Sequence, residues 1–408
     1  MQKLTEAMCY HRPARTSEKQ PTPVVLFDPI LAKVAQDCET AIPSKADCKF
    51  AAEVSEAMSE TFLNETMRRD AFWALLKEEF GVTLERARYG RCDTDGSWKH
   101  LGGMLVNIEI KNEIGCGGGA AHVQNAAYAA AHAFQDDINR KISVCPTLLI
   151  ELAGPNMSFS GAVFADRAIC DQLTPMVSLL WQPHSPLMLQ AARCFTALRA
   201  ALLSLRSFYD QLDAEAKAKR PLQRQLLYPY PAEFTDLHDT QVQLTYIKKL
   251  DRLCFKGVVV QMGQETPVFV KFCRSYHREA HDLLASKGFA PNVLGLRALL
   301  GGWFMVIMEF VDGCRWDESV SKPAKALRDA VRVLHEADFV HGDLRSNNIL
   351  VVQDGVHIVD FEWAGIANQA TYPFFMNHTD LTWPDGASDG FPITKEHDSC
   401  WLQSLVQA

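Results

Sequence analysis

The 408-residue chain has no Cys-x-x-Cys pair and no Cys/His pair at zinc spacing; the closest of its 12 cysteines, Cys38 and Cys48, stand ten residues apart. That spacing speaks against a zinc ribbon or a disulfide framework, and the thiols read as reduced, mostly buried groups of an intracellular protein. Excess positive charge is also missing. With 41 Lys and Arg against 49 Asp and Glu, the formal net charge is -8, so no global field recruits nucleic acid or anionic lipid, and any DNA-facing patch must be local. No apolar run suits a bilayer: the most apolar stretch, Leu187 to Tyr209, is broken by Arg193, Arg199 and Arg206, which are costly in lipid. Met1 to Arg15 carries Lys3, Glu6, His11 and Arg12 without an apolar core and does not read as a secretory signal. These absences leave a soluble protein of the cytoplasm or nucleus, without a membrane partner, as the expectation. Internal repeats and long low-complexity tracts are absent as well.

What is present is an ordinary globular composition, 48% apolar, 10% aromatic and 22% charged, over a length that suits two or three domains. Residues 1–45 hold Pro13, Pro21, Pro23, Pro29 and Pro43 with little periodicity and are expected to form an irregular arm. Residues 46–212 read as one domain. Helical periodicity from Phe50 to Phe80 gives way to short strands between Val82 and Gly103, with turns at Gly90 and Asp95-Gly96. The strand Met104 to Ile110, a glycine-rich turn (Gly115 to Gly119), an Ala-rich helix from Ala120 to Phe134 and strands at Pro146 to Leu152 and Gly161 to Ala165 follow. A long helix from Leu187 to Leu212 closes the domain. Residues 213–238, rich in charge and proline, read as a linker, and residues 239–408 as a second domain of short strands and helices.

The densest chemistry lies in that second domain. His341-Gly-Asp343-Leu-Arg345-Ser-Asn-Asn348 is followed by Ile-Leu-Val, a turn at Asp354-Gly355, and Val356-His-Ile-Val-Asp360-Phe-Glu. Transfer of a phosphoryl group needs a carboxylate to orient the acceptor hydroxyl and oxygen ligands to hold magnesium across the phosphates. Asp343 suits the first role; Asn348, five positions on, and Asp360, at a strand end, suit the second. Upstream, Lys271 ends the strand-like Pro267-Val-Phe-Val-Lys and suits the α- and β-phosphates, and Glu279 follows on a helix expected from Tyr276 to Ser286, placed to pair with that lysine. Met308-Glu309-Phe310-Val311, after a strand from Trp303 to Ile307, suits a hinge receiving an adenine ring.

Taken in order, these motifs over residues 240–400 resemble protein kinases. The resemblance implies ATP and Mg2+ as cofactors, with Asp343, Arg345 and Lys271 catalytic, Lys271, Glu279, Glu309 and Val311 around the nucleotide, and Asn348 and Asp360 on the metal. Arg345 takes the position of the cation that steadies the γ-phosphate. It further implies a protein substrate and an α+β bilobal fold; with the sequence ending at Ala408, a shortened large lobe is expected. His397-Asp398 resembles the start of the helix whose aspartate anchors the catalytic loop. Two departures stand out. The glycine-rich phosphate loop is replaced by Tyr246 to Gly257, with one glycine and the cations Lys248, Lys249 and Arg252. Gly342 replaces the arginine that captures a phosphorylated activation loop, so control of that kind is not expected. His341-Gly-Asp-Leu with Asp360-Phe-Glu-Trp-Ala-Gly also resembles aminoglycoside and choline kinase-type enzymes, which phosphorylate small molecules.

A second constellation lies in residues 46–212. Asp95 precedes Glu109-Ile-Lys111, whose alternation places Glu109 and Lys111 on one face of a strand, and Gln124 follows on a helix. Two carboxylates sharing magnesium and a lysine near a water suit phosphodiester hydrolysis, with Glu56, Glu60 or Glu65 available to complete the metal shell. This order is similar to the restriction endonuclease-like PD-(D/E)XK nucleases, an α/β fold, and implies an Mg-dependent DNase with nucleic acid as partner. The fusion of such a domain to a short kinase-like one resembles fungal and crinkler-type effector proteins. The leading expectation is a protein Ser/Thr kinase-like phosphotransferase; the alternatives are a DNase with a regulatory kinase-like half, or a small-molecule kinase. The acceptor and the oligomeric state stay open.

Overall fold

The computed structural model describes residues 8–10, 21–89, 92–116, 120–136, 138–181, 186–218, 225–236, 238–261, 263–319, 321–353 and 355–407. The chain separates into two units, Met1–Pro231 and Ala232–Ala408.

In the first unit, strand β1 (Met8–Tyr10) precedes four helices, α1 (Val24–Phe27), α2 (Pro29–Thr40), α3 (Lys45–Met58) and α4 (Glu65–Phe80). Strands β2 (Gly96–His100) and β3 (Gly103–Lys111) follow, then helix α5 (Ala121–Gln135). The unit continues with β4 (Thr147–Ala153), β5 (Asn156–Phe164), β6 (Ala168–Gln172), β7 (Val177–Ser178) and the long helix α6 (Pro186–Lys217). The strands form one seven-stranded sheet in the order β1-β6-β5-β4-β3-β2, with β7 paired to β5. Strands β3 and β4 are parallel, joined by the α5 crossover, and their register sets Glu109 opposite Glu151. On one face, Val34, Phe50, Phe72, Phe195 and Leu205 of the helices close over Ile108 and Ile150. On the other, Ala126, Ala129, Ala130 and Ala133 of α5 lie against Leu149, Ala162 and Phe164; alanines let the helix approach the sheet closely. The result is a three-layer α/β unit.

The irregular arm expected over residues 1–45 is corrected at its C-terminal part, where α1 and α2 are helical and Leu31, Ala32, Val34 and Cys38 are buried. The prolines do not interrupt these helices. Pro29 occupies the first helical position, after Asp28, whose carboxylate accepts the N–H groups of Ile30 and Leu31; Pro43 falls between α2 and α3. The linker expected over residues 213–238 is likewise narrower, since α6 runs to Lys217 and Glu233–Thr235 is a strand. The turns expected at Gly90 and Asp354, and Gly117 to Gly119, lie outside the described residues.

The second unit opens with a six-stranded antiparallel sheet. Its strands are β8 (Glu233–Thr235), β9 (Gln241–Lys249), β10 (Cys254–Gln261), β11 (Gln264–Cys273), β12 (Val293–Leu299) and β13 (Trp303–Glu309), in the order β8-β9-β10-β11-β13-β12. Helix α7 (Arg278–Ser286) lies between β11 and β12 in the chain. After residues 309–311 come β14 (Cys314–Arg315), helix α8 (Ala324–Glu336), β15 (Phe339–Val340), β16 (Ile349–Val352), β17 (Gly355–Ile358), β18 (Gly365–Ile366) and helix α9 (Lys395–Gln407). Strands β14, β16 and β17 form one small sheet, and β15 and β18 another. Trp316, Leu327, Val331, Leu334, Ile349, Ile358 and Phe361 share a core with Ala280 and Leu284 of α7.

Ten described cysteines are free thiols, of which Cys48, Cys116, Cys314 and Cys400 are exposed rather than buried. Among the described residues, no helix is long and apolar enough to cross a membrane.

Candidate functional site

In the second unit, the loop between β15 and β16 carries Asp343, Arg345 and Asn348. Its backbone is pinned from below: the buried Asp398 carboxylate, in the first turn of α9, accepts the N–H of His341 at 2.7 Å and that of Gly342 at 2.9 Å. Two charge-assisted bonds at one carboxylate fix the loop firmly. Asn348 Nδ2 donates to the Asp343 carboxylate and to its carbonyl, both at 2.8 Å. Arg345 forks onto the same carboxylate, with Nη2 2.7 Å from Oδ2 and Nε on Oδ1, and its guanidinium lies 5.8 Å from the Trp383 ring centroid. Arg345 is thus engaged with Asp343 itself. Gly342 has φ 80°, a left-handed backbone that favours glycine, and a Cβ there would come 2.8 Å from the side-chain tip of Ile393.

Asp360 follows β17 with φ 71°, a left-handed conformation uncommon outside glycine that aspartate takes more readily than most residues. Val359 donates its N–H to Asn348 O at 2.9 Å, and His341 Nε2 lies 3.1 Å from Val359 O. The Asp360 strand and the Asp343 loop are therefore stitched side by side. From β11, Lys271 Nζ reaches Asp360 at 2.7 Å and Glu362 at 2.5 Å. Burial opposes the lysine's charge, yet Asp360 and Glu362 outweigh it and raise its pKa. For Asp360, burial is likewise outweighed, by Lys271, and its pKa falls below the ordinary carboxylate value. Burial pushes Glu362 upward.

Glu279 is corrected: it lies exposed in the first turn of α7 and is not the partner of Lys271. The helix begins at Arg278 rather than Tyr276, and its buried face is Ala280, His281 and Leu284. Glu362, the actual partner, was visible in the sequence only as the acid two residues after Asp360. At the end of β13, the Glu309 carboxylate accepts both N–H groups of Asn292, at 3.1 and 3.0 Å, and Val311 is half-buried beyond it.

In the first unit, Lys111 at the end of β3 donates to Glu109 at 3.0 Å and lies 3.7 Å from Glu65 of α4. Of the three helical glutamates considered, Glu65 is the one beside Lys111. Asp95 Oδ2 accepts the N–H of Ile110 at 2.9 Å. Burial, and then the charge of Asp95, push Glu109 up to about 7, and its Oε2 is buried without a partner. Gln124 is on α5 as expected, but its Oε1 is also buried without a partner. Opposite Glu109, Glu151 accepts from Asn125, Ser158 and Ser160 at 3.0 to 3.1 Å, and burial raises it to about 7. This second buried acid was marked in the sequence only by one glutamate inside the apolar strand Thr147–Ala153. Among the described residues, no group of three or more His, Cys, Asp and Glu is placed to hold a metal ion.

No protein-family model matches the chain. Over 92 residues it is 33% identical to the KEOPS complex subunit Bud32 of Pyrococcus abyssi (strain GE5 / Orsay), a match that covers 21% of this chain and 42% of that protein's length. Among solved structures, it is similar to vaccinia related kinase 3 (16% identity, TM-score 0.33, 43% of this chain and 66% of that one). It is also similar to the BubR1 kinase domain (15% identity, TM-score 0.32, 49% and 72%). The Cydia pomonella Granulovirus kinase PK-1 gives 18% identity and a TM-score of 0.28, over 33% and 58%.

Proposed function

We propose that the second unit is an ATP- and magnesium-dependent phosphotransferase that modifies a protein Ser/Thr hydroxyl. The observation that supports this most is the stitching of the Asp343–Asn348 loop to the strand carrying Asp360, with Lys271 reaching over from β11 at 2.7 Å. Asp360 and the Asn348 amide oxygen are hard oxygen donors. Two of them suit Mg2+, which takes its remaining ligands from phosphates and water rather than from a protein cage. Bound Mg-ATP would supply the phosphoryl group and neutralise its charge; Lys271 faces the phosphates, and Asp343 orients the acceptor hydroxyl and receives its proton. Arg345, forked onto Asp343 in the resting chain, has to release that carboxylate for this, and turned toward the phosphates it would supply the charge expected of this cation. Bud32 is by its name a subunit of a complex, which extends the reading to a protein partner for this chain. The test is transfer from labelled ATP to the chain itself, to a generic protein, and to choline or an aminoglycoside. Asp343→Ala is expected to lower transfer at least ~10³-fold, and equal labelling by wild type and variant overturns the reading.

A second reading, that the first unit is a magnesium-dependent DNase of the PD-(D/E)XK kind, is favoured by one observation: the convergence of Glu65, Glu109 and Lys111, next to Asp95, around a buried carboxylate oxygen with no partner. Plasmid nicking should require Mg2+ and disappear in Lys111→Ala; nicking that survives in this variant removes the site.

A further inference from the structure

Lys271 is held by two carboxylates, and both come from the segment after β17. Glu362 lies 2.5 Å from its ammonium and Asp360 2.7 Å, while the lysine side chain is only 12% exposed. The position of Glu362 is set by its backbone on two sides. Ser275 Oγ donates to Glu362 O at 2.7 Å, and the His277 N–H donates to Phe361 O at 3.0 Å. Phe361 itself is fully buried and stacked on His281, with ring centroids 4.4 Å apart. Helix α7 therefore contributes a floor under Phe361, not a charge for Lys271, and Glu279 on its first turn faces solvent.

We propose that Glu362 is the positioning residue that holds Lys271 for the phosphates of an adenine nucleotide; this rests on the phosphotransferase reading. Asp360 is the residue needed at the divalent cation, and ligation there draws part of its charge and one oxygen away from the lysine. Glu362 leaves the lysine one full partner. Because this partner follows Asp360 by two residues on a segment locked to the α7 entry loop, the lysine stays aligned without any movement of α7.

The test uses the full chain with saturating Mg2+ and a fluorescent, non-hydrolysable ATP analogue, alongside steady-state transfer. Glu362→Gln is expected to weaken analogue binding and raise KM for ATP by about tenfold or more, as loss of a shielded charge partner does. Glu362→Asp should recover most of that affinity, and Glu279→Gln should bind within about twofold of wild type. Wild-type affinity in Glu362→Gln, or an equal loss in Glu279→Gln, overturns the proposal. So does a defect in Glu362→Gln that appears only as a shifted Mg2+ midpoint and vanishes at saturation, which assigns the glutamate to the metal. If Glu362→Gln unfolds, the Glu362→Asp and Glu279→Gln pair still decides, since a weaker Glu279→Gln with unaffected Glu362→Asp refutes it. Failure of the phosphotransferase reading looks different: wild type then neither binds the analogue nor transfers phosphate.

Discussion

Each unit places a lysine near the end of a strand against acidic side chains, yet the two clusters are not balanced alike. Lys271 meets two carboxylates within 2.7 Å, and Asp360 responds with a lowered pKa. Lys111 meets Glu109 at 3.0 Å and Glu65 only at 3.7 Å, with Asp95 as a third acid close by, and Glu109 is raised to about 7. One lysine nearly compensates two acids but not three. The cluster around Lys111 is therefore short of positive charge at neutral pH and favours a proton on Glu109, whereas around Lys271 only Glu362 is raised, by burial, and Asp360 stays ionised.

The largest expected effect follows from removing each lysine. Lys271→Met strands Asp360 and Glu362 and should cost about 3–5 kcal/mol in chemical denaturation at pH 7.5. Lys111→Met should cost less, about 1–2 kcal/mol, because Glu109 can take a proton instead. A larger loss for Lys111→Met would break the comparison.

Next comes pH. Glu151 is raised from 4.5 to about 7 by burial. A carboxyl raised on folding contributes stability that is complete below its unfolded pKa and lost as pH rises through the folded value. Wild type should thus lose about 3 kcal/mol at this site between roughly pH 4.5 and pH 8. Glu151→Gln has no proton to lose, so the stability difference should move in its favour over that window; a pH-independent difference in denaturation midpoints would show that Glu151 ionises normally. Trp383→Leu should cost about 2–3 kcal/mol, since it loses ring contacts with Trp363, Tyr372 and Trp401 and the indole bond to Asn377 O as well as the face near Arg345, read as a melting shift. Glu279→Gln should stay within about 0.5 kcal/mol of wild type, and a larger change would return a role to that helix.

The Asp343–Asn348 pairing was legible in the sequence because both residues sit on one loop, where a spacing of five residues nearly dictates contact. Lys271 and Asp360 were legible as strand-end residues in the right order. The partner of Lys271 was not, because which acid reaches it depends on how α7 docks on the sheet, and α7 offers Ala280, His281 and Leu284 inward instead. In the first unit, strand alternation gave Glu109 and Lys111 a common face. The opposition of Glu109 to Glu151 depends on parallel register, which no local pattern encodes. The helices at residues 24–40 were hidden by prolines that sit at helix starts and junctions rather than inside helices.

Gly342 bears on how this protein can evolve. A side chain at that position would need a left-handed backbone, and its first carbon would already run into Ile393 at 2.8 Å. A larger residue there would have to hold that strained backbone and push the Ile393 side-chain tip aside, so each replacement of this glycine starts from a loss of stability.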